Sequence, residues 1–169
     1  MSWFTIEWQE SDSGQGEVVM LDQRRLPTEE IYQRYDTVEG VAVGITDMVT
    51  RGAPAIGIAA AMGVALAAHN ASESDDMDAV IAGAVGRLKN TRPTAVNLFW
   101  ALDRMTARYD EVRSGDLASV RAALLKEAKD VLAQDADICR AIGEQGAHLV
   151  PQGGTVLTHC NAGALATAK

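Results

Sequence analysis

The chain has 169 residues, of which 47% are hydrophobic, so it can fold around a core and is not a disordered tail. Its formal net charge of −8 argues against nonspecific binding to nucleic acid or to an anionic membrane surface. Its two cysteines lie in unrelated contexts, which favours a reducing, cytoplasmic location over a disulfide framework or a metal cluster.

The first 35 residues carry short runs of β-branched, aromatic and aliphatic side chains separated by turn residues. Strands are predicted over 3–8, 17–22 and 31–35, with a polar, glycine-containing turn at 11–16. This succession predicts a small antiparallel meander that packs on the elements after it, because an isolated hairpin is marginal. The polar run at 22–25 is interpreted as turn and surface residues.

After Thr37, a plausible N-cap, the apolar residues recur at helical spacing. Further helices are predicted over 53–70, after a cap at 74–76, over 94–113, and over 117–149 with a break near Gly143 or Gly146. The helix over 53–70 is rich in alanine and glycine. It is therefore predicted to be a buried helix and not a membrane span.

The pattern changes again after residue 150. A glycine pair at 153–154 precedes a β-rich run at 155–159, and small residues follow at 161–168 as a loop and helix start. A strand that leads into a helix is typical of the opening of a parallel α/β sheet. The sequence thus predicts one domain over 1–150 and the first segment of a second over 151–169.

The run RGAPAIG at 51–57 is the first candidate binding site. Its arginine offers a bidentate donor to a phosphate or carboxylate, and the helix N-terminus after it has unpaired backbone N–H groups. Gly52 is interpreted as allowing a turn that a side chain would forbid, and Pro54 as starting the helix. The alternative is a capped helix preceded by a surface arginine.

Two further features could contribute to the same site. RPTAVNL at 92–98 again places an arginine before a proline and a helix. Cys160 follows the predicted strand at 155–159, and ligands of open α/β sheets bind at such carboxyl ends. Its neighbour His159 points to the other face of a strand, so adjacency does not make them a catalytic pair. The alternatives are a solvated arginine and a buried cysteine.

Four segments together resemble the S-methyl-5-thioribose-1-phosphate isomerase family. They occur in collinear order as VVMLDQR at 18–24, RGAPAIG at 51–57, RPTAVNLFWA at 92–101 and LTHCNAG at 157–163. Relatives of that family include ribose-1,5-bisphosphate isomerases and regulatory subunits of the eukaryotic exchange factor for translation initiation.

The resemblance implies a fold class and an arrangement of domains. An α+β N-terminal domain, a small antiparallel sheet plus a helical bundle, is followed by the first strand of a truncated Rossmann-like α/β domain. The active site of the family lies between its two domains. The resemblance also implies which residues act there: Arg51, Gly52, Ala53 and Arg92 bind substrate, and Cys160 is catalytic.

The implied reaction is the isomerisation of S-methyl-5-thio-α-D-ribose 1-phosphate to the ribulose 1-phosphate in methionine salvage. It needs no metal and no nucleotide cofactor, and the full-length enzyme is expected to be a cytoplasmic homodimer. The family's catalytic aspartate belongs to the C-terminal domain, so the 169 residues are expected to be an inactive portion. Another pentose-phosphate isomerase of the family, or a non-catalytic regulatory subunit, remains an alternative.

Overall fold

The N-terminal part of the chain forms a three-stranded antiparallel sheet. The structure, a computed structural model, describes residues 3–159 and 162–167. The strands are β1 (Ile6–Glu10), β2 (Gly16–Leu21) and β3 (Tyr32–Tyr35), with β2 in the middle. The register pairs Ile6 with Met20 and Val18 with Tyr35. The predicted meander is confirmed.

Five helices follow within the described ranges. They are α1 (Val38–Thr46), α2 (Ala53–Asn70), α3 (Met77–Lys89), α4 (Val96–Val112) and α5 (Leu117–Gly146). Thr37 caps α1 as predicted, because its hydroxyl accepts the N–H of Gly40 at 3.1 Å. A single 3-10 turn at Ala147–Leu149 ends α5, next to one of the two glycines where a break was predicted.

Helix α2 is the centre of the fold. It contacts α1, α3, α4, α5, β1 and β2, and 72% of it is buried. Among the described helices it alone has the length and apolar composition to cross a membrane, and its burial is that of a core helix. Small side chains allow close packing, since a Cβ on Gly57 would lie 2.8 Å from the carbonyl oxygen of Asn97 in α4. The predicted buried helix is confirmed.

The direction of α5 shows how the other helices run. Arg121, near the start of α5, donates to the carbonyl of Ala68 near the end of α2, so the two helices are antiparallel. Arg104 of α4 pairs with Glu127 of α5 at 2.5 Å and also bonds Gln134 further along. Asn97 and Trp100, near the start of α4, line one cavity with Ile138 toward the end of α5. α5 is therefore antiparallel to α4 as well, and α2 and α4 begin at the same end of the bundle.

The strand predicted over 155–159 is not formed. These residues are exposed and have no regular secondary structure, whereas 163–166 form a turn. A strand needs a neighbour with which to exchange backbone hydrogen bonds, and the β1–β3 sheet does not include this segment. The helix start predicted over 161–168 is a single turn in the part that the structure describes.

Candidate functional site

The turn that enters α2 has ordinary backbone angles. Gly52 is the N-cap, with φ −70° and ψ 142°, a conformation open to any residue. The prediction that Gly52 provides a special turn angle is therefore wrong. Its lack of a side chain serves close approach instead, because a Cβ there would lie 2.1 Å from the Cα and the carbonyl oxygen of Ala166.

The segment 162–167 packs directly against this turn. Its Ala166 is buried, and the carbonyl of Ala166 accepts the N–H of Ala55 in the first turn of α2 at 3.2 Å. One of the N–H groups predicted to be free for an anion at this helix start is thus already bonded. The anion-binding capacity of this end of α2 depends more on the arginine than on the helix terminus.

Arg51 projects from the same turn and is exposed. Its Nη2 donates to the backbone carbonyl of Gln23 at 3.3 Å, and no ion pair to it occurs in residues 3–159 and 162–167. The remaining guanidinium donors are available to an anion. Ala53, the first residue of α2, is also exposed, whereas Gly52 is covered by Ala166.

Arg92 lies between α3 and α4 and is half-buried. Its Nη1 is buried and has no hydrogen-bond partner. A buried donor without a partner costs free energy, and a charged one costs more, so such groups are rare unless a ligand completes them. This nitrogen is the strongest indication of an anion site in the described part of the chain.

The two arginine turns lie at one end of the helical bundle. Each precedes the start of a helix, and the parallel helices α2 and α4 touch one turn further on, where Gly57 meets Asn97. A cavity of about 200 Å³ opens next to this contact, between Pro54, Trp100 and Ile138 of α5. The structure brings the turns of Arg51 and Arg92 to the same end, although neither arginine lines this cavity.

Cys160 lies outside the described residues, so its predicted role is not tested by the structure. Its described neighbours on the two sides differ in their contacts with the rest of the domain. His159 is exposed, whereas Ala164, Leu165 and Ala166 all bond to the domain core. The other cysteine, Cys139, is half-buried on α5 and free.

The interpretation of 22–25 as surface residues is wrong for its first two members. Asp22 is fully buried and Gln23 is 3% exposed. The N–H of Gln23 donates to the carbonyl of Val49, and its Nε2 donates to the carbonyl of Leu165 at 2.6 Å. The sequence did not indicate that Gln23 is buried and bonded to a distant segment, because its only distinguishing feature is that it follows a buried strand.

Asp22 is held in place by Arg24. The Nε and Nη2 of Arg24 donate to the two carboxylate oxygens at 2.8 and 2.7 Å, and Gln33 adds a weaker bond at 3.3 Å. These bonds, chiefly those from the Arg24 side chain, lower the pKa of Asp22 to about 2, although burial opposes the shift. The pair fixes the backbone just before Gln23.

We expect Asp22→Asn to lower the free energy of unfolding by roughly 2 kcal/mol near neutral pH, because the folded state stabilises the ionised Asp22 carboxylate more than the unfolded state does. A depressed pKa stabilises the fold above the ordinary value near 3.8, and this contribution is lost as the pH falls through about 2. Urea unfolding from pH 7 to pH 2 should therefore show the wild-type and variant curves converging in acid. A difference that stays constant with pH would contradict this.

The comparisons with known proteins match one family of proteins over most of this chain. The model of the initiation factor 2 subunit family matches residues 49–168. Methylthioribose-1-phosphate isomerase of Trichlorobacter lovleyi is 48% identical over 99% of this chain and 48% of its own length. The protein of the same name from Koribacter versatilis is 50% identical over 97% of this chain and 46% of its own length.

Two solved structures share the fold. The crystal structure of 5-methylthioribose 1-phosphate isomerase from Pyrococcus horikoshii OT3 matches 97% of this chain and 46% of that one, with a TM-score of 0.83 and 39% identity. The translation initiation factor eIF-2B, subunit delta, from A. fulgidus matches 99% and 47%, with a TM-score of 0.86 and 34% identity. The chain spans about half the length of the relatives it matches.

Proposed function

Because the chain belongs to the initiation factor 2 subunit family, we propose that it is the substrate-binding half of an S-methyl-5-thioribose-1-phosphate isomerase. The identity of about one half to curated isomerases over 99% of the chain supports this assignment. The observation that carries it is the unpartnered, buried Nη1 of Arg92 at the end of the bundle where Arg51 also lies. A sugar phosphate supplies the dianion that two such guanidinium groups would bind.

The reaction begins from a closed sugar ring. The 1-phosphate prevents spontaneous ring opening, so a general acid must protonate the ring oxygen as its bond to C1 breaks. A hydrogen then moves from C2 to C1, either as a proton through an enolate or as a hydride. The C2 hydroxyl loses its proton and becomes the ketone, so that substrate and product are isomers.

The chain's own residues take distinct roles in this proposal. Arg51 and Arg92 bind the phosphate and orient C1, and the family resemblance adds Gly52 and Ala53 to the substrate-binding residues. Cys160 acts at the reacting carbons, as a proton carrier or by stabilising their charge. No metal or nucleotide takes part in the proposed chemistry.

The rest of the predicted organisation is proposed on the same basis. Residues 151–169 belong to a Rossmann-like domain whose first strand is 155–159, and that strand forms when neighbouring strands pair with it. We propose that the general acid lies in that second domain, as the family resemblance implies. The complete protein is proposed to be a cytoplasmic homodimer.

The assignment is tested by assaying the protein at the full length of its relatives with methylthioribose 1-phosphate, deoxyribose 1-phosphate and ribose 1,5-bisphosphate. We expect turnover of the first and a kcat lower by about 100-fold or more for Cys160→Ser, since positioned proton transfer contributes that much. Cys139→Ser is the matched control and should keep full activity. The 169-residue chain alone should be inactive, and turnover by it would contradict the division of roles.

A regulatory, non-catalytic subunit is the second candidate. It is favoured by the similarity to the A. fulgidus initiation factor subunit, which this chain matches with a TM-score of 0.86. A folded full-length protein that turns over none of the three sugar phosphates would support this candidate against the isomerase.

A further inference from the structure

The peptide unit between Gln23 and Arg24 is held at both of its polar ends. Its N–H, that of Arg24, donates to Oδ1 of Asp22 at 3.1 Å, which closes a short turn over Gln23. Its carbonyl, that of Gln23, accepts from Nη2 of Arg51 at 3.3 Å. The peptide is trans, so its N–H and its C=O point in opposite directions. The carboxylate that fixes this N–H therefore also fixes the carbonyl that faces Arg51.

The Asp22 carboxylate is itself held in one place. It is fully buried, so water competes little for its oxygens. Oδ1 also accepts from Nε of Arg24 at 2.8 Å, while Oδ2 accepts from Nη2 of Arg24 at 2.7 Å and from Gln33 at 3.3 Å. The backbone N–H of Asp22 donates to the carbonyl of Ile31 at 2.8 Å. A carboxylate fixed in this way can hold the neighbouring peptide in one orientation.

The Arg51 side chain takes its orientation from the Gln23 carbonyl. Arg51 is exposed, and this is the one hydrogen bond that its guanidinium makes to residues 3–159 and 162–167. The N–H of Gln23 donates to the carbonyl of Val49 at 3.0 Å, so both backbone groups of Gln23 contact the segment that carries Arg51. An arginine that is ordered before a ligand arrives loses less conformational entropy on binding it.

We propose that Asp22 is a positioning residue for Arg51, which acts through the Gln23–Arg24 peptide to hold the guanidinium in the orientation that receives the substrate phosphate. The phosphate in this inference rests on the proposed function, whereas the hold on the guanidinium does not. The buried pair of Asp22 and Arg24 thus has a second role besides stability. Because it orders a binding group in advance, it should affect the affinity for substrate and not the chemical step.

Nitrogen NMR of the Arg51 guanidinium in the 169-residue chain tests this positioning without a ligand or an assay of turnover. Asp22→Leu has no acceptor for the Arg24 N–H, so we expect the guanidinium to rotate about two- to tenfold faster, as the loss of one hydrogen bond predicts. Asp22→Asn should stay close to the wild type, because its Oδ1 can still accept that N–H. Asn is also expected to destabilise the chain, so a purely structural role would loosen Arg51 in both variants.

A second variant keeps the test valid if Asp22→Leu folds poorly. Asp22→Leu combined with Arg24→Met replaces both members of the buried pair by apolar side chains, a change that is often nearly neutral for stability. It should loosen the Arg51 guanidinium as Asp22→Leu does.

Asp76→Leu is the matched control, because Oδ1 of Asp76 also accepts the N–H two residues on, that of Asp78, at 3.1 Å. This turn lies at the start of α3, and its loss should leave the Arg51 signals unchanged. Equal rotation of the Arg51 guanidinium in the wild type and in the Asp22→Leu variants would overturn the inference. Rotation in Asp22→Asn as fast as in Asp22→Leu would also overturn it, since the carboxylate would then serve stability only.

Kinetics at the full length of the relatives test the consequence for binding. With methylthioribose 1-phosphate, Asp22→Leu should raise KM about two- to tenfold and leave kcat within about twofold, because the phosphate is bound before and during the reaction alike. In an Arg51→Met background the same change should leave KM unaltered, since no guanidinium remains to be oriented. A lower kcat at unchanged KM, or an equal rise of KM in both backgrounds, would overturn the positioning role. If Asp22→Leu loosens Arg51 but the full-length protein turns over no sugar phosphate, the proposed function alone is refuted.

Discussion

Gly52→Ala should release the C-terminal segment from α2 and destabilise the chain by about 1–3 kcal/mol, the usual range for forcing an atom into a packed site. The added methyl group would lie 2.1 Å from the Cα and carbonyl oxygen of Ala166, which are backbone atoms and cannot rotate away. The backbone angles at Gly52 suit alanine, and the lower chain entropy alone would favour the variant by about 0.4–1 kcal/mol. The steric cost is larger than this gain, so the variant should be less stable than the wild type.

Urea unfolding and hydrogen exchange at Ala55 measure this effect. Gly83→Ala provides the matched control, because Gly83 lies within α3 and a Cβ there meets nothing within 4 Å. The Gly83→Ala substitution should raise helix propensity and stabilise the chain by roughly 0.5–1 kcal/mol. If both variants gained stability, the contact between Gly52 and Ala166 would not be a constraint in solution.

Arg92→Met should have opposite effects on stability and on anion binding. The variant removes a buried nitrogen that has no partner, so the unliganded 169-residue chain should gain about 1–2 kcal/mol in free energy of unfolding. At the full length of the relatives, the same change should cost about 2–5 kcal/mol of phosphate binding, the range for removing one partner of a desolvated charge pair. Thermal unfolding with and without inorganic phosphate measures both.

Arg140→Met is the matched control for this trade-off. Arg140 is an exposed arginine on α5, paired only at the surface with Asp137 at 3.1 Å. Its replacement should change stability by less than about 0.5 kcal/mol and leave protection by phosphate intact. A loss of stability in Arg92→Met, or undiminished protection by phosphate, would remove Arg92 from the proposed site.

Local sequence patterns predicted the parts of the fold whose causes are local. The helix over 53–70 was identified to the residue because its small apolar side chains end at polar Asn70. The cap at Thr37 is a bond to a group three residues away, so it too can be read from neighbours in sequence. The two arginine turns were found for the same reason, since each combines a cation, a proline and a helix start.

The errors concern contacts between residues far apart in the chain. Gln23 looks like a turn residue, and its burial depends on Leu165, which lies 142 positions away. Gly52 looks like a flexible turn, and its actual constraint is the backbone of Ala166. The strand predicted over 155–159 has the right composition, but a strand also requires a partner, which composition does not reveal.

The central position of α2 limits which amino-acid substitutions this protein can accept in evolution. Other elements pack around the helix on every side, so a substitution in it alters its packing against several elements at once. A larger residue needs a smaller one opposite it, and single steps in either direction lose stability. The helix that begins at the Arg51 turn can therefore drift only through compensating pairs of substitutions, whereas the outer face of α5 is free to vary one residue at a time.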